Sequence, residues 1–288
     1  SGRGVIGGGS YPSPTPTNRS DIRHINISSQ GNAICGGDLL AAVRRVESCG
    51  SSIRTVWGGG YTPSNIDVIQ YRATASDGNS ADFGDLNQGR NSHCSSSSST
   101  RGIFAGGYST TNSIEYIQIS TLGDALDFGD IAFGTTTQLN VTRSPVRAVF
   151  GGRGIMSSIN FASKGNSNSF GNLTQERRDY AGGGNSVRGI FAGGDGTTVS
   201  ATIDYITIAS DGNATPFGDL TITRRSVNCC DSQTRSVFIG GNAYPTTTNT
   251  MDYITIASTG DAVDFGDDIF VPYNPAATSD SHGGLGGY

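Results

Sequence analysis

Short apolar runs alternate with polar, glycine-rich segments along the whole chain, and one apolar run recurs six times. Each copy opens on an arginine, continues through a few apolar residues and closes on a Gly-Gly doublet. The arginines, 41 to 51 residues apart, are Arg3, Arg54, Arg101, Arg147, Arg188 and Arg235. A period in the forties with several short strands per unit is typical of propeller blades. The pattern therefore predicts six blades whose second strands begin at these arginines.

The unit around Arg235 indicates how many strands one blade holds. Short runs of mixed apolar and polar residues over 226–231, 235–240, 251–258 and 262–265 predict four strands. Between the last two lies the triplet Thr259-Gly260-Asp261, and glycine flanked by Asp or Asn between apolar runs marks a hairpin turn with positive φ. Because four antiparallel strands make one blade, residues 1–288 are expected to form a single all-β propeller domain.

The two ends of the chain complement each other in this scheme. The chain begins at a second strand, with no first strand before Arg3, and it runs 21 residues past Asp267. Counting one repeat on from Asp267 places residues 278–282 where a first strand is due. We expect this segment to complete the first blade, because pairing the two ends removes the open edge of the ring.

Composition agrees with sheets and turns and excludes several classes of function. Glycine accounts for 43 of the 288 residues, and the single Lys and three Glu contrast with 18 Arg and 21 Asp. Lys and Glu are depleted in strands, whereas Asp suits turns. The net charge of −5 argues against nonspecific nucleic-acid binding. No apolar stretch approaches the roughly 18 residues that a membrane-spanning helix needs, so we expect neither nucleic acid nor membrane as a partner.

Two repeated polar positions are the first candidates for chemistry. One is the set of six arginines, and the other follows each outer-strand glycine as Asp38, Asp85, Asp130, Asp219 and Asp267, with Asn172 in the fourth repeat. A ring of carboxylates is one way to hold a cation. The interpretation that we favour is an Arg–Asp or Asp–backbone lock within each blade, because every blade carries it. Catalysis needs asymmetric groups, so the protein is expected not to be an enzyme.

The cysteines and histidines indicate no cofactor. The five cysteines include no C-x-x-C motif, and an odd number does not suit a disulfide framework. His93-Cys94 beside Cys49 is one alternative metal site, but cysteine is also a small apolar residue that fits crowded inner strands. Cys229 and Cys230 point to opposite faces of a strand and should not bond to each other. G-x-S-x-G, Walker and HExxH motifs are absent.

The loops that follow the Gly-Gly doublets are the candidate contact surface. They are rich in Tyr, Ser, Thr, Asn and Pro, and the loops between fourth and first strands add arginines to the same end of the propeller. Such residues build adaptable binding surfaces. The alternative is that these are solvated rim loops with locally paired arginines. The candidate contact residues are Tyr11, Tyr61, Tyr108, Tyr244, Arg44, Arg90, Arg177 and Arg224.

The Gly-Gly doublet and a later aromatic resemble the repeats of kelch-type propellers, with Phe in the Phe-Gly-Asp phrase (Phe83, Phe128, Phe217, Phe265) in place of the usual Trp. The phrase that starts IDYITIAS at Ile203 resembles repeats of virion structural proteins from tailed phages, marine cyanophages especially. This resemblance implies a non-catalytic structural or adhesion protein of a phage tail, fibre or capsid exterior. Its expected partners are other virion proteins, further copies of itself or a host surface glycan. Its expected location is the virion, or otherwise a secreted or cell-surface setting. The alternatives are a carbohydrate-binding module and, more remotely, an enzyme with its site at the propeller axis.

Overall fold

The computed structural model describes residues 2–11, 17–108, 112–133, 138–271 and 273–281, and within them every regular element is a β-strand. The strands are, in chain order, β1 Arg3–Gly7, β2 Ser10–Tyr11, β3 Thr17–Asn26, β4 Ile34–Val43, β5 Glu47–Gly50, β6 Arg54–Gly58, β7 Val68–Ala73, β8 Ala81–Asp85, β9 Cys94–Ser97, β10 Arg101–Ala105, β11 Ser113–Gln118, β12 Leu126–Asp130, β13 Asn140–Arg143, β14 Arg147–Gly151, β15 Ile155–Asn160, β16 Asn168–Asn172, β17 Ala181–Gly184, β18 Arg188–Ala192, β19 Thr202–Thr207, β20 Thr215–Asp219, β21 Asn228–Asp231, β22 Arg235–Ile239, β23 Thr250–Thr255, β24 Val263–Asp267 and β25 Ala276–Ser279.

These strands form six antiparallel blades around a central axis, which confirms the predicted six-bladed propeller. Five blades are four consecutive strands each, from β5–β8 to β21–β24, and blade one consists of β25, β1, β3 and β4, with the short β2 added to β3. The innermost strands contact one another in the cyclic order β25, β5, β9, β13, β17, β21 and back to β25. The second strands of all six blades begin at the repeated arginines.

The predicted closure by the C-terminal segment is confirmed, with different bounds. β25 pairs with β1 in the register Gly4↔Ser279 to Gly7↔Ala276, and Asp280 N–H donates to Arg3 O at 3.0 Å. The predicted strand, 278–282, was placed two residues too late, and its last residue lies outside the described part of the chain. The reason is that each inner strand begins seven residues before the next repeated arginine position, as in Glu47 before Arg54.

The Phe-Gly-Asp phrase joins each blade to the next. In blade five, Phe217 is the extra residue of a β-bulge between β19 and β20 and packs edge-on against Tyr205. Its carbonyl accepts a hydrogen bond from Gly260 N–H of blade six at 2.9 Å, and the Asp219 carbonyl accepts a second from Ala262 N–H at 2.8 Å. Six backbone N–H groups donate in this way to a turn side chain of the following blade, the acceptors being Asn79, Asp124, Asn166, Asn213, Asp261 and Asn32. The blades are therefore locked at the rim as well as at the axis.

This lock predicts a matched pair of glycine variants in blade five. In Gly218→Ala the new β-carbon would lie 2.5 Å from the carbonyl carbon of Gly260 and 2.9 Å from Asp261 N, so the turn of blade six must move. We expect a loss of about 2–3 kcal/mol in the free energy of unfolding, typical of overpacking. In Gly212→Ala the β-carbon meets nothing within 4 Å. Chemical denaturation should separate the two variants, and equal losses would contradict the lock.

Candidate functional site

The repeated arginines clamp neighbouring blades and do not pair with the repeated aspartates. Arg235 donates from Nη1 to Ser28 O of blade one at 3.1 Å, and its guanidinium lies 4.6 Å from the centre of the Tyr253 ring in its own blade. The same arrangement of a carbonyl in the next blade and a ring in the arginine's own blade holds for Arg54, Arg101, Arg147 and Arg188. The predicted Arg–Asp lock is thus wrong in its partners. The side chains of Asp38, Asp85, Asp219 and Asp267 are exposed and that of Asp130 is half-buried. Their backbone N–H groups bond to the next blade, and the Asp38 carboxylate also accepts a hydrogen bond from Ser20 Oγ at 2.9 Å.

Three of the predicted contact arginines are buried within the blades. Arg224 donates to the carbonyls of Gly240 at 3.0 Å and Thr250 at 2.7 Å and forms an ion pair with Asp252. Arg177 pairs with Asp204 and Arg90 with Glu115 in the same way, and all three arginines are essentially inaccessible to solvent. Arg90, Arg177 and Arg224 are therefore no part of a contact face. The physical reason is that the Gly-Gly turn leaves carbonyl groups inside the blade, and an arginine satisfies them while a carboxylate balances its charge.

Blade one satisfies the same need with the charges exchanged. Arg23 stands on the third strand, where blades three, five and six have an acidic residue, and it bonds Asp21 at 2.6 Å. The carboxylate of Asp268, in the loop between β24 and β25, lies 3.3 Å from Arg23 Nε. Burial raises the pKa of Asp268 and Arg23 opposes that rise. The exchange shows that, where this interior position is charged, the pair is compensated in either order. In blades two and four the same position holds the neutral Gln70 and Ser157.

One end of the propeller, called here the loop face, carries the loops between second and third strands and those between fourth and first strands. Bridges such as Arg44↔Tyr61 and Asn91↔Tyr108 bring the two kinds of loop together. Tyr108 is 63% exposed and Tyr244 is 74% exposed, whereas Tyr61 is half-buried beneath Arg44, whose guanidinium lies 5.0 Å from its ring centre. Much of the loops after Gly9 and Gly107, residues 12–16 and 109–111, lies outside the described residues.

Tyr11 is held in a local cluster at the edge of the loop face. Its ring packs edge-on against Phe270 at a centroid distance of 6.3 Å. The guanidinium of Arg19 lies 4.5 Å from the Tyr11 centroid and 3.5 Å from that of Phe270. Cation–π contacts of this kind hold exposed rings in place. Of the eight predicted contact residues, the tyrosines and Arg44 therefore remain on the surface.

The opposite end, called here the hairpin face, presents its own apolar residues. Ile53, Val146 and Val187 precede the repeated arginines in three blades, and each is more than half exposed. A cavity of about 590 Å³ also opens on this face in blade one and is lined by Arg3, His24 and Ile34 among others. His24 stands where four of the other five blades have a Tyr, and burial together with Arg3 lowers its pKa. These exposed apolar residues of the hairpin face were not among the predicted contact residues.

The axial end of the loop face is ringed by residues in the left-handed backbone region. One residue per blade, just before each inner strand, has φ between 52° and 60°, and none of the six is glycine: Arg45, Ser92, Gln138, Asp179, Ser226 and Asn274. Backbone bonds join this rim at alternate junctions, including Gln138 N–H to Ser92 O at 3.1 Å and Ser226 N–H to Asp179 O at 2.7 Å. Burial raises the pKa of Asp179, and that of Glu47 just below the rim to about 8. These polar groups differ from blade to blade, whereas the Phe-Gly-Asp residues that join neighbouring blades repeat.

The alternative metal site of His93, Cys94 and Cys49 is not assembled. Cys49 packs in one apolar cluster with Val56 and Phe104, and Cys94 packs in another, where its thiol contacts Ala105 O at 3.6 Å. Burial raises the pKa of the Cys49 thiol to about 12. All five cysteines are free thiols, Cys229 and Cys230 included. Among the described residues, no three His, Cys, Asp or Glu side chains are grouped to hold a metal.

Comparison with known proteins adds no assignment beyond the fold. No protein-family model matches the chain, and the search of curated proteins finds no match. Within the described residues no helix is long and apolar enough to cross a membrane. The class defined by the structure is therefore a six-bladed β-propeller.

Proposed function

We propose that this propeller is a non-catalytic binding and assembly module that makes its contacts through the loop face, as a component of a phage virion. The observation that carries the proposal is the pair of exposed rings, Tyr108 and Tyr244, displayed on a frame that is locked at both axis and rim. A rigid array of similar weak contacts gains strength through multivalency. The virion setting rests on the resemblance of the repeated phrase to tailed-phage structural proteins.

The absence of catalysis is part of the same proposal. Its support is that the polar groups which repeat around the ring are already used in structural bonds. Arg235 clamps a neighbouring carbonyl, Arg224 fills a blade interior and Asp219 bonds through its backbone. The expected partner is another virion protein or a further copy of the chain.

A surface glycan is the second candidate ligand, favoured by the same exposed tyrosines. Aromatic faces beside Ser, Thr and Asn loops suit sugar rings, which need an apolar surface and nearby hydrogen bonds. A glycan would be recognised by one or two rings, whereas a protein partner would cover several loops at once. A glycan ligand and a protein partner therefore differ in how many loops contribute to affinity.

The test replaces Tyr61, Tyr108 and Tyr244 together with Ser. We expect an unchanged fold by circular dichroism, because Tyr108 and Tyr244 are largely exposed, but at least tenfold weaker incorporation into particles or binding to a glycan array. The matched control replaces Ile53, Val146 and Val187 with Ser on the hairpin face and should bind normally. Normal binding by the folded tyrosine variant, or loss in the control alone, would refute the loop-face proposal.

A further inference from the structure

We propose that the cavity of blade one on the hairpin face binds the neutral aromatic ring of a ligand, a ring of the size of a tyrosine side chain. The cavity holds about 590 Å³ and is lined by Arg3, His24, Ile25 and Ile34 together with residues of the turn 28–32. Small-molecule pockets typically hold about 300–1,000 Å³. The site is separate from the loop-face tyrosines and adds to the contacts that we propose for them.

Within the described residues, blade one is the blade that lacks both rings of a repeated aromatic pair. In blades two, three, five and six a Tyr of the third strand packs edge-on against the Phe of the Phe-Gly-Asp phrase, with centroids 5.8–6.0 Å apart. The strand registers place His24 where blade six has Tyr253, and Gly36 where it has Phe265. Blade four keeps the Phe and has Ser158 at the Tyr position. The cavity therefore opens at a place that other blades fill with rings.

Arg3 is held in the plane of its guanidinium and has no ring on its face. Its Nη atoms donate to Asp77, to Ala75 O at 3.3 Å and to Ser76 O at 3.4 Å, all in the turn of blade two. The other five repeated arginines also donate to the next blade, yet each has a ring centre 4.6–5.1 Å from its guanidinium. A guanidinium can stack on an aromatic ring while it keeps its in-plane hydrogen bonds. The bonds of Arg3 therefore leave its face available to a ligand ring.

The charges beside the cavity favour a neutral ligand. Asp77 compensates the charge of Arg3, with which it forms an ion pair. Burial together with Arg3 lowers the pKa of His24, so His24 is neutral at pH 7 and adds no positive charge to the lining. Arg72, which is close by, is buried and donates to the carbonyls of Gly36 and Gly78 instead of lining the cavity. An anion would thus meet one arginine that is already paired, whereas an uncharged ring needs no further charge.

The apolar part of the lining also suits an aromatic ring better than a sugar. Ile25 is buried, whereas Ile34 is 61% exposed although it begins β4. A ring in the cavity would remove apolar surface of Ile34 from water, which is favourable. A sugar is usually held against an aromatic face, and among the described residues the lining contains no Tyr, Phe or Trp.

The experiment titrates the native chain with p-cresol, and with N-acetyltyrosinamide as the same ring on a peptide unit, by calorimetry and by thermal unfolding. We expect one site per chain with a Kd of about 1 mM, as suits so small a ligand, and a rise in Tm at saturation. 4-Methylcyclohexanol has a similar shape but no π-face, so it should bind at least threefold more weakly. Tighter binding of N-acetyltyrosinamide would identify a peptide as the source of the ring, and tighter binding of p-cresol a free aromatic compound.

The variant His24→Tyr restores the ring that other blades carry. We expect it to fold, because four blades hold Tyr at this position, and to bind p-cresol at least tenfold more weakly, because its own ring covers Arg3. Ser158→Tyr makes the same change in blade four and is the matched control, with native binding. Ile34→Asn, at an exposed position, should weaken binding at least threefold. The loop-face variant of Tyr61, Tyr108 and Tyr244 should bind p-cresol normally, so the cavity and the loop face can fail independently.

Three results would overturn the site. The first is a native chain that gives neither a heat signal nor a Tm shift with p-cresol up to about 20 mM, well above the expected Kd. The second is a folded His24→Tyr protein that binds p-cresol as tightly as the Ser158→Tyr control. The third is binding of inorganic phosphate in preference to p-cresol, which would make the cavity an anion site. If His24→Tyr does not fold, native affinity in Ile34→Asn overturns the proposal instead.

Discussion

Deletion of residues 276–288 is expected to open the ring and to cause the largest loss of stability among simple truncations. The deletion removes β25 and leaves the inner edge of β1 unpaired, from Gly4 to Gly7. It also removes the neighbour that β5 and β21 share across the closure. Four residue pairs of ladder bonding at about 0.5–1.5 kcal/mol per bond, together with lost burial, give an expected loss of roughly 3–6 kcal/mol. Thermal unfolding and light scattering should report a lower Tm and association through the exposed edge.

A shorter truncation is the control for closure. Removing only residues 282–288 keeps β25 and its bond from Asp280 N–H to Arg3 O. This variant should keep the oligomeric state and the Tm of the full chain. The closure argument fails if the long truncation also keeps the Tm and the oligomeric state of the full chain, or if the short truncation alone accounts for the whole loss.

The sequence was sufficient for the architecture because the architecture repeats. Six copies of one phrase predict six blades, a Gly between Asp or Asn residues predicts each outer hairpin, and the missing first strand predicts the closure. The role of the Phe-Gly-Asp glycine was not predictable, since it depends on the close approach of a turn from the next blade, as Gly260 approaches Gly218. A single unit read in isolation contains no sign of that neighbour.

Whether an arginine is buried or exposed also depends on tertiary structure. Arg224 and Arg225 are adjacent and look equivalent in sequence, yet one is buried in its blade and the other is partly exposed beside Asp195. One feature of the sequence does indicate which arginine is buried. The acidic residue before Tyr in the third strand lies opposite the buried Phe of the second strand, as Asp252 faces Phe238, and therefore needs a cation.

Replacement of Arg224 by Met is expected to cost about 3–5 kcal/mol, the range measured when one member of a buried ion pair is removed. Asp252 would then remain as a buried carboxylate with only Thr221 as a donor, at 2.6 Å from its hydroxyl and 3.0 Å from its N–H. The carbonyls of Gly240 and Thr250 would lose the Arg224 donor as well. Urea denaturation at neutral pH measures the loss.

The neighbouring Arg225→Met variant provides the matched control. In the native chain the Arg225 guanidinium bonds Asp195 at 2.6 Å but stays partly in solvent. The expected loss in the free energy of unfolding is therefore only about 0–1 kcal/mol. A double variant, Arg224→Met with Asp252→Leu, should recover part of the single variant's loss, because it removes the uncompensated charge together with its partner. Equal losses in the two arginine variants would show that Arg224 is not the charge that the blade interior requires. A double variant less stable than Arg224→Met alone would show that Asp252 is satisfied without it.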